Sequence, residues 1–340
     1  MLRIEKHYFF LIGGLALGIL LFWSGQSWSQ PMKLRFSTVP FIGEAPSYVA
    51  YHKGFFKEEG LDIVLKSNPG GWMSLKDLFE GKADIATVAE LPIVYSAFDK
   101  KKYTDFERGE FFIIGDMILS KVGFQKVVVR KDRGIKTPAD LKGKKIGVFK
   151  GTTLDFFMDV FFIDNKIKYS EVDIIDMDVF KMTDAIVKGD LDAIFAWQPH
   201  VFNAMKRLGE NGTILESKLK YSPAWLITVM KEFAEKHPEV LNKFLRAIVR
   251  AEKYIKKNPQ EAIDIHAKIS KSDKDIINLL WKEVDFDLSL SEHLLILMED
   301  QANWLLRKKI YDQKEIPNFK KYFYFKALES VKPEGIRMVR

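Results

Sequence analysis

Leu78–Pro92 reads LFEGKADIATVAELP and Ala185–Pro199 reads AIVKGDLDAIFAWQP, and the two stretches superpose with Gly81 over Gly189, Asp84 over Asp192 and Glu90 over Gln198. In each, a helical pattern stops at a glycine, a short apolar run follows at once, and a proline closes it. That is the signature of a helix feeding a buried strand. The same offset, give or take a few residues, lays Leu34 on Ile146, so each half of the chain runs strand, loop, helix, strand, helix, strand. Strand–helix–strand alternation implies right-handed crossovers and a largely parallel sheet. A repeated unit of this kind predicts two α/β lobes of related topology.

Working outward, Leu34 to Val39 reads as the first strand, followed by a turn through Pro40-Phe41-Ile42-Gly43-Glu44 and a helix with Pro46 in its first turn. Gly54 and Gly60 suit two helix ends. Leu61, Ile63 and Leu65 alternate as the next strand, Asn68-Pro69-Gly70-Gly71 is a turn, and Trp72, Leu75, Leu78 and Phe79 recur at helical spacing. In the second half Lys145 to Phe149 reads as a strand and Lys150-Gly151-Thr152-Thr153 as a tight turn. Leu154, Phe157, Met158, Phe161 and Phe162 then form the apolar face of a helix, and Val172 to Met177 a further strand. From Lys231 the chain reads as helical throughout, over Glu232 to Lys257, Gln260 to Ile269, Lys274 to Val284 and Ser291 to Lys308, with no new strand. These helices are expected to pack on the first lobe. That requires two crossings between lobes, near Ile118 to Val128 and near Tyr221 to Thr228. The resulting division is a signal segment over residues 1–29, a first lobe over 30–120, a second over 121–222, and a return to the first with C-terminal helices over 223–340. Loops at the carboxyl ends of such strands are where open α/β sheets bind ligands, and in two lobes those ends face one another across a cleft.

The first residues carry Arg3 and Lys6, residues 8–23 are an uncharged apolar run, and residues 24–30 are small and polar. This is the three-part layout of a secretory signal, with cleavage expected after Ser29. The alternative is an uncleaved anchor, because the run is shorter than the ~20 residues that span a bilayer. Either reading puts the bulk of the chain outside the cytoplasm, in the periplasm. The 340 residues are enough for two domains, and 47% hydrophobic with 29% charged residues is ordinary globular composition. No cysteine occurs, which excludes disulfides, thiolate metal sites, cysteine nucleophiles and a lipidated N-terminal cysteine. The net charge is +7; Arg3 and Lys6 against Glu5 leave +1 in residues 1–29, so +6 remains beyond them. Such a surface favours anionic solutes or membrane surfaces. The lysines are spread along the chain without aromatic interleaving, so no nucleic-acid partner is expected.

The stretch PSYVAYHKGFFKEEGL (Pro46 to Leu61), the segment GKADIA (Gly81 to Ala86) and LDAIFAWQP (Leu191 to Pro199) resemble the nitrate, sulfonate, taurine and thiamine-pyrimidine group of ABC-importer binding proteins, the NMT1-like family. The resemblance runs over about residues 33–310. It implies a two-lobed periplasmic binding protein type II fold with a ligand cleft between the lobes. It also implies closure by a hinge, a small-molecule ligand, and as partners a membrane permease with a cytoplasmic ATPase. A monomer is expected. One departure is Gln198, where many relatives carry glutamate.

Ten residues are candidate ligand contacts. Phe41 and Glu44 follow the first strand, at the sheet's ligand edge, where the family uses this loop for ligand contact. Trp72 and Met73 open the helix after Gly70-Gly71, whose amides suit an anionic group. Gly151, Thr152 and Thr153 do the same in the second lobe, so two helix N-termini would clamp an anion. Glu90 and Gln198 occupy corresponding loops, and Trp197 walls the pocket or seals the lobes. Paired helix N-termini point to a sulfonate or carboxylate, the glutamates to a donor or amine, and the aromatics to a ring or alkyl body. The ligand expected is a small polar organic solute, taurine-like or pyrimidine-like.

The remaining inventory is negative. His52, His200, His237, His266 and His293 show no metal-ligand spacing, so neither metal nor cofactor is expected. Gly-x-Ser-x-Gly, a phosphate loop and Gly-x-Gly-x-x-Gly after a strand are all missing. An enzyme of the eukaryotic thiamine-pyrimidine synthase type, to which the group is also similar, depends on a cysteine-rich motif that this chain cannot form. A periplasmic sensing module for a signalling receptor is the other alternative.

Overall fold

The computed structural model describes residues 30–99, 110–121, 124–216 and 221–339. The expected signal segment, residues 1–29, lies outside the described residues. In chain order the strands are β1 (Met32–Thr38), β2 (Leu61–Ser67), β3 (Ile85–Ala89), β4 (Phe111–Ser120), β5 (Gln125–Arg130), β6 (Lys145–Val148), β7 (Asp173–Asp176), β8 (Ala193–Trp197), β9 (Gly212–Leu215), β10 (Trp225–Met230), β11 (Val284–Ser291) and β12 (Ile336–Arg337). They form two sheets, one ordered β12-β11-β4-β10-β3-β1-β2 and the other β7-β6-β8-β5-β9. Each sheet with its helices is one lobe of an α/β protein.

The repeat legible in the sequence is realised as topology. β1 pairs in parallel with β2 and β3, and β6 pairs in parallel with β7 and β8. The strand that enters each lobe from the other then adds antiparallel to the third, β10 on β3 and β5 on β8. The matched residues do matched work. Gly81 and Gly189 both adopt a left-handed φ, 68° and 88°, in the turn that ends a helix. Asp84 then accepts the Arg35 amide of β1 at 2.8 Å, and Asp192 accepts the Lys145 amide of β6 at 2.9 Å. Each aspartate thereby satisfies a strand amide at the edge away from the cleft, which fixes the register of the strands feeding it.

The long helix Pro238–Lys257 covers the first sheet because Leu241, Phe244, Leu245, Ile248 and Ile255 recur at helical spacing and are all buried. Phe244 meets Phe36 of β1 edge-on at 5.2 Å. The all-helical reading beyond Lys231 needs correction: Val284–Ser291 is a strand, paired antiparallel with β4 and in parallel with β12. Its sequence, VDFDLSLS, alternates apolar and polar residues with a period of two, the strand pattern. The helix read as Lys274 to Val284 accordingly ends at Trp281.

The chain passes from the first sheet to the second between β4 and β5 and returns between β9 and β10. Three buried carboxylates hold the return. Glu90 accepts the Tyr221 hydroxyl and, at 2.9 Å, the Ala224 amide. Asp116 accepts the Trp225 amide at 2.9 Å, and Glu44 accepts the Trp225 indole N–H at 3.0 Å.

Candidate functional site

A cavity of about 100 Å³ lies between the lobes, walled from both sides by residues at the carboxyl ends of parallel strands. Val39 and Phe41 follow β1, Pro69 to Trp72 follow β2, and Ala89 ends β3. From the second lobe come Phe149, Thr152 and Thr153 after β6, Phe180 after β7, and Trp197 ending β8. Pro92 after β3, Phe124 and Gln125 on one crossing and Pro223 and Trp225 on the other complete the wall. A wider groove of about 650 Å³ lies at the opposite edge of the first sheet, around Arg35, Asp84, Lys231 and His237. Arg35 and Lys231 there are already ion-paired with Asp84 and Glu110. The cavity between the lobes, at the edge where α/β sheets place ligands, is the functional candidate.

In the first lobe the wall is positioned by a buried polar knot. Asn68 donates to Ser37 at 2.7 Å and to Asp77 at 2.8 Å, while Lys66 and Ser37 also donate to Asp77. Burial of Asp77 works to raise its pKa, but the hydrogen bonds from Lys66, Asn68 and Ser37 outweigh it and hold the carboxyl below its ordinary value. The Pro69-Gly70-Gly71 turn is thereby fixed at the mouth of the helix Gly71–Phe79. Gly70 caps that helix without a side-chain bond, and the Met73 amide turns back to the Gly70 carbonyl at 3.0 Å. Gly71 and Trp72 supply first-turn amides, which have no partner within a helix. A Cβ on Gly71 would lie 3.0 Å from the Val88 backbone, so the helix start is pressed onto β3.

In the second lobe Thr152 caps the helix Thr153–Asp164. Its Oγ1 accepts the Leu154 amide at 3.3 Å and donates to the Phe149 carbonyl at 2.6 Å. The Gly151 amide donates to Asp155 at 3.0 Å. Thr153 faces Gln125, whose Nε2 lies 3.4 Å from the Thr153 hydroxyl. Gln125 is 5% exposed, and its Oε1 is buried without a hydrogen-bond partner.

Of the ten candidates, the structure brings Phe41, Trp72, Thr152, Thr153 and Trp197 together on the cavity wall. Glu44, Met73, Glu90, Gly151 and Gln198 stand outside that wall. Glu44 and Glu90 are fully buried and point into the protein. Thr87 and the Trp225 indole donate to Glu44; Tyr221, the Ala224 amide and Gln301 donate to Glu90. Burial pushes the Glu44 carboxyl up to about 7 against those hydrogen bonds, and raises Glu90 likewise. Gln198 accepts the Phe202 amide at 3.1 Å. The wall residues that sequence reasoning missed are chiefly Phe124, Gln125, Phe149, Phe180, Pro223 and Trp225. Four of them flank the crossings, so only the tertiary return of the chain brings them to the site.

Trp225 sits on this wall because position 43 is glycine. A Cβ there would lie 2.6 Å from the Trp225 Cγ and 2.8 Å from its Cδ1. The indole ring is 4.7 Å from Phe41, which in turn meets Phe124 edge-on at 5.4 Å. Gly43→Ala is expected to destabilise the protein by about 1–3 kcal/mol through this overpacking and to shift Trp225 into the cavity. Thermal unfolding with tryptophan fluorescence checks this; an unchanged melting temperature and emission maximum would show that the ring has room to yield.

A family model described as NMT1/THI5 like matches residues 43–262. A protein of Bacillus subtilis (strain 168), provisionally named for binding aliphatic sulfonates, is 26% identical over 280 residues, 79% of this chain and 80% of the relative. The crystal structure of the periplasmic aliphatic sulphonate binding protein SsuA from Escherichia coli superposes with a TM-score of 0.71 at 16% identity, covering 88% of this chain and 99% of that one. The crystal structure of the desulfurization enzyme DSZB superposes with a TM-score of 0.67 at 16% identity, covering 89% and 99%. At such identities the structural likeness shows the fold, a two-lobed periplasmic-binding-protein architecture.

Proposed function

The chain belongs to the NMT1/THI5-like family, and on that premise we propose that it is the extracytoplasmic solute-binding component of an ABC importer. It captures a small organic anion in the cavity between its lobes and delivers it to a membrane permease driven by a cytoplasmic ATPase. The observation that carries this reading is the cavity itself, where the N-termini of Gly71–Phe79 and Thr153–Asp164 converge from opposite lobes. Each helix start presents the positive end of its dipole, with the first-turn amides of Gly71 and Trp72 in the first lobe and the Thr152 and Thr153 hydroxyls in the second. On the same reading residues 30–120 and 223–340 form one lobe and 121–222 the other, and the two crossings are the hinge. Residues 1–29 direct export to the periplasm, and the protein works as a monomer.

Binding rather than catalysis fits the wall. Its polar side chains, among the described residues, are the neutral Gln125, Thr152 and Thr153.

The test is a melting-temperature panel of sulfonates, taurine, nitrate, small carboxylates, amino acids and pyrimidines. A true ligand at about 100 times its Kd stabilises by about 2.7 kcal/mol, and Thr153→Ala should weaken the response. Calorimetric silence across the panel would defeat the capture of a small anion.

A further inference from the structure

The cavity wall is rich in aromatic side chains. Trp72 from the first lobe and Phe149, Phe180 and Trp197 from the second line it, over a base formed by the mutually packed Phe41, Phe124 and Trp225. An alkyl chain needs only aliphatic contact, whereas rings set on two sides of a narrow space suit a flat, unsaturated body. The volume, about 100 Å³, is of the order that admits one ring.

The polar part of the wall is as informative. No charged side chain lines the cavity among the described residues. The two acids that a ligand amine would seek, Glu44 and Glu90, are fully buried off the cavity wall, where they accept from Thr87, Trp225, Tyr221, the Ala224 amide and Gln301. An ammonium closed into this space would be buried without a counter-ion. Aromatic cages also hold cations through their ring faces, but here two helix N-termini point positive partial charge at the same space, and that opposes a cation. Gln125 adds the one side-chain amide of the wall among the described residues: its Nε2 reaches Thr153, and its Oε1, an acceptor buried without a protein partner, would take a neutral donor rather than the anionic group.

We infer that the solute is an organic anion carrying an aromatic ring and no ammonium group. This inference rests on the cavity being the solute site proposed above. It sets the protein apart from receptors for zwitterions and for purely aliphatic anions, with Trp72 and Trp197 as the side chains that read the ring.

The experiment is titration calorimetry of the purified protein with a matched set: benzenesulfonate, ethanesulfonate and taurine, and their carboxylate counterparts benzoate, propionate and β-alanine. Benzyl alcohol is the neutral ring. The better aryl anion should bind at least about tenfold tighter than its alkyl partner, and the ammonium-bearing member should be the weakest of its three. Trp72→Ala and Trp197→Ala should each shrink the aryl-to-alkyl ratio. An alkyl anion or a zwitterion binding as tightly as the aryl anion would overturn the inference while leaving anion capture standing. Benzyl alcohol binding as tightly as the aryl anions would overturn the anion and keep the ring. If none of the seven binds, both readings fall together. The comparison uses the native protein, so a variant that fails to fold does not affect it.

Discussion

Replacing Lys332 by methionine is expected to lower stability by about 3–5 kcal/mol, the range for removing one partner of a buried ion pair. Lys332 is 7% exposed, and its ammonium donates to both oxygens of Glu252, at 3.1 and 2.8 Å, and to Asp287 at 2.7 Å. Glu252 is 4% exposed on the long helix, and its Oε2 also takes the Leu288 amide of β11 at 3.0 Å. Burial works to raise the Asp287 carboxyl, but hydrogen bonds from Arg337 and Lys332 hold it below its ordinary value. Without Lys332, Asp287 keeps Arg337, while Glu252 retains the Leu288 amide and the largely exposed Lys256. That places the loss toward the lower end of the range. The double variant Lys332→Met/Glu252→Gln should recover part of it, because no buried charge is then left alone and the glutamine oxygen can still accept the Leu288 amide. Urea unfolding of the three proteins measures both quantities. A single-variant loss below about 1 kcal/mol, the level of an exposed pair, would mean that water reaches the cluster. The cluster matters beyond stability because it ties the long helix to β11, which pairs with β4, and β4 leads directly into the first crossing between the lobes.

How this architecture is written in the chain differs from element to element. The lobe repeat was legible because Gly81 and Gly189 are constrained by backbone conformation, and Asp84 and Asp192 by a strand amide that needs an acceptor. Such demands are local, so they leave local marks. The aromatic side chains Phe41, Trp72 and Trp197 were legible as wall candidates for the same reason, since each sits where a strand ends. β11 was also written plainly, in the alternation of Val284, Phe286, Leu288 and Leu290 with polar residues, and was hidden only by the helices on either side. The direction of a long polar side chain is another matter. Glu44 and Glu90 stand at the ligand edge in sequence, yet whether they face solute or protein depends on Trp225 and Tyr221, more than 130 positions away. Phe124, Gln125 and Pro223 reach the wall only because the crossings lie side by side. No periodicity encodes that.

Glu44→Gln is expected to gain about 3 kcal/mol over the native protein as pH is raised from about 5 to about 8, at 1.36 kcal/mol per pKa unit. Burial lifts the folded carboxyl to about 7, against hydrogen bonds from Thr87 and Trp225, while its ordinary value is 4.5. Between those values the folded protein holds a proton that the unfolded chain has released. Stability from this group is therefore fully present below the unfolded pKa and lost as pH rises through the folded one. Asp116 acts in the same sense: burial takes it to about 7 from 3.8, opposed by the amides of Trp225 and Ile118 and reinforced by Glu90 and Asp287. His266 acts in the opposite sense. It is fully buried against Tyr48 with neither ring nitrogen bonded, burial depresses it to about 3, and its contribution is lost as pH falls below the usual imidazole value. The native profile sums these trends, whereas the difference between native and Glu44→Gln isolates one carboxyl, because glutamine has no proton to lose. Any fixed penalty for the amide, such as an N–H facing the site where Oε2 has no partner, shifts the difference by a constant and leaves its slope. Denaturant unfolding of both proteins across this range supplies the measurement. A flat difference would mean that Glu44 is already ionised at the acid end, with water or a cation reaching it. A rising one would mean that the contact positioning Trp225 on the cavity wall changes protonation near neutral pH, and solute affinity should then change with it.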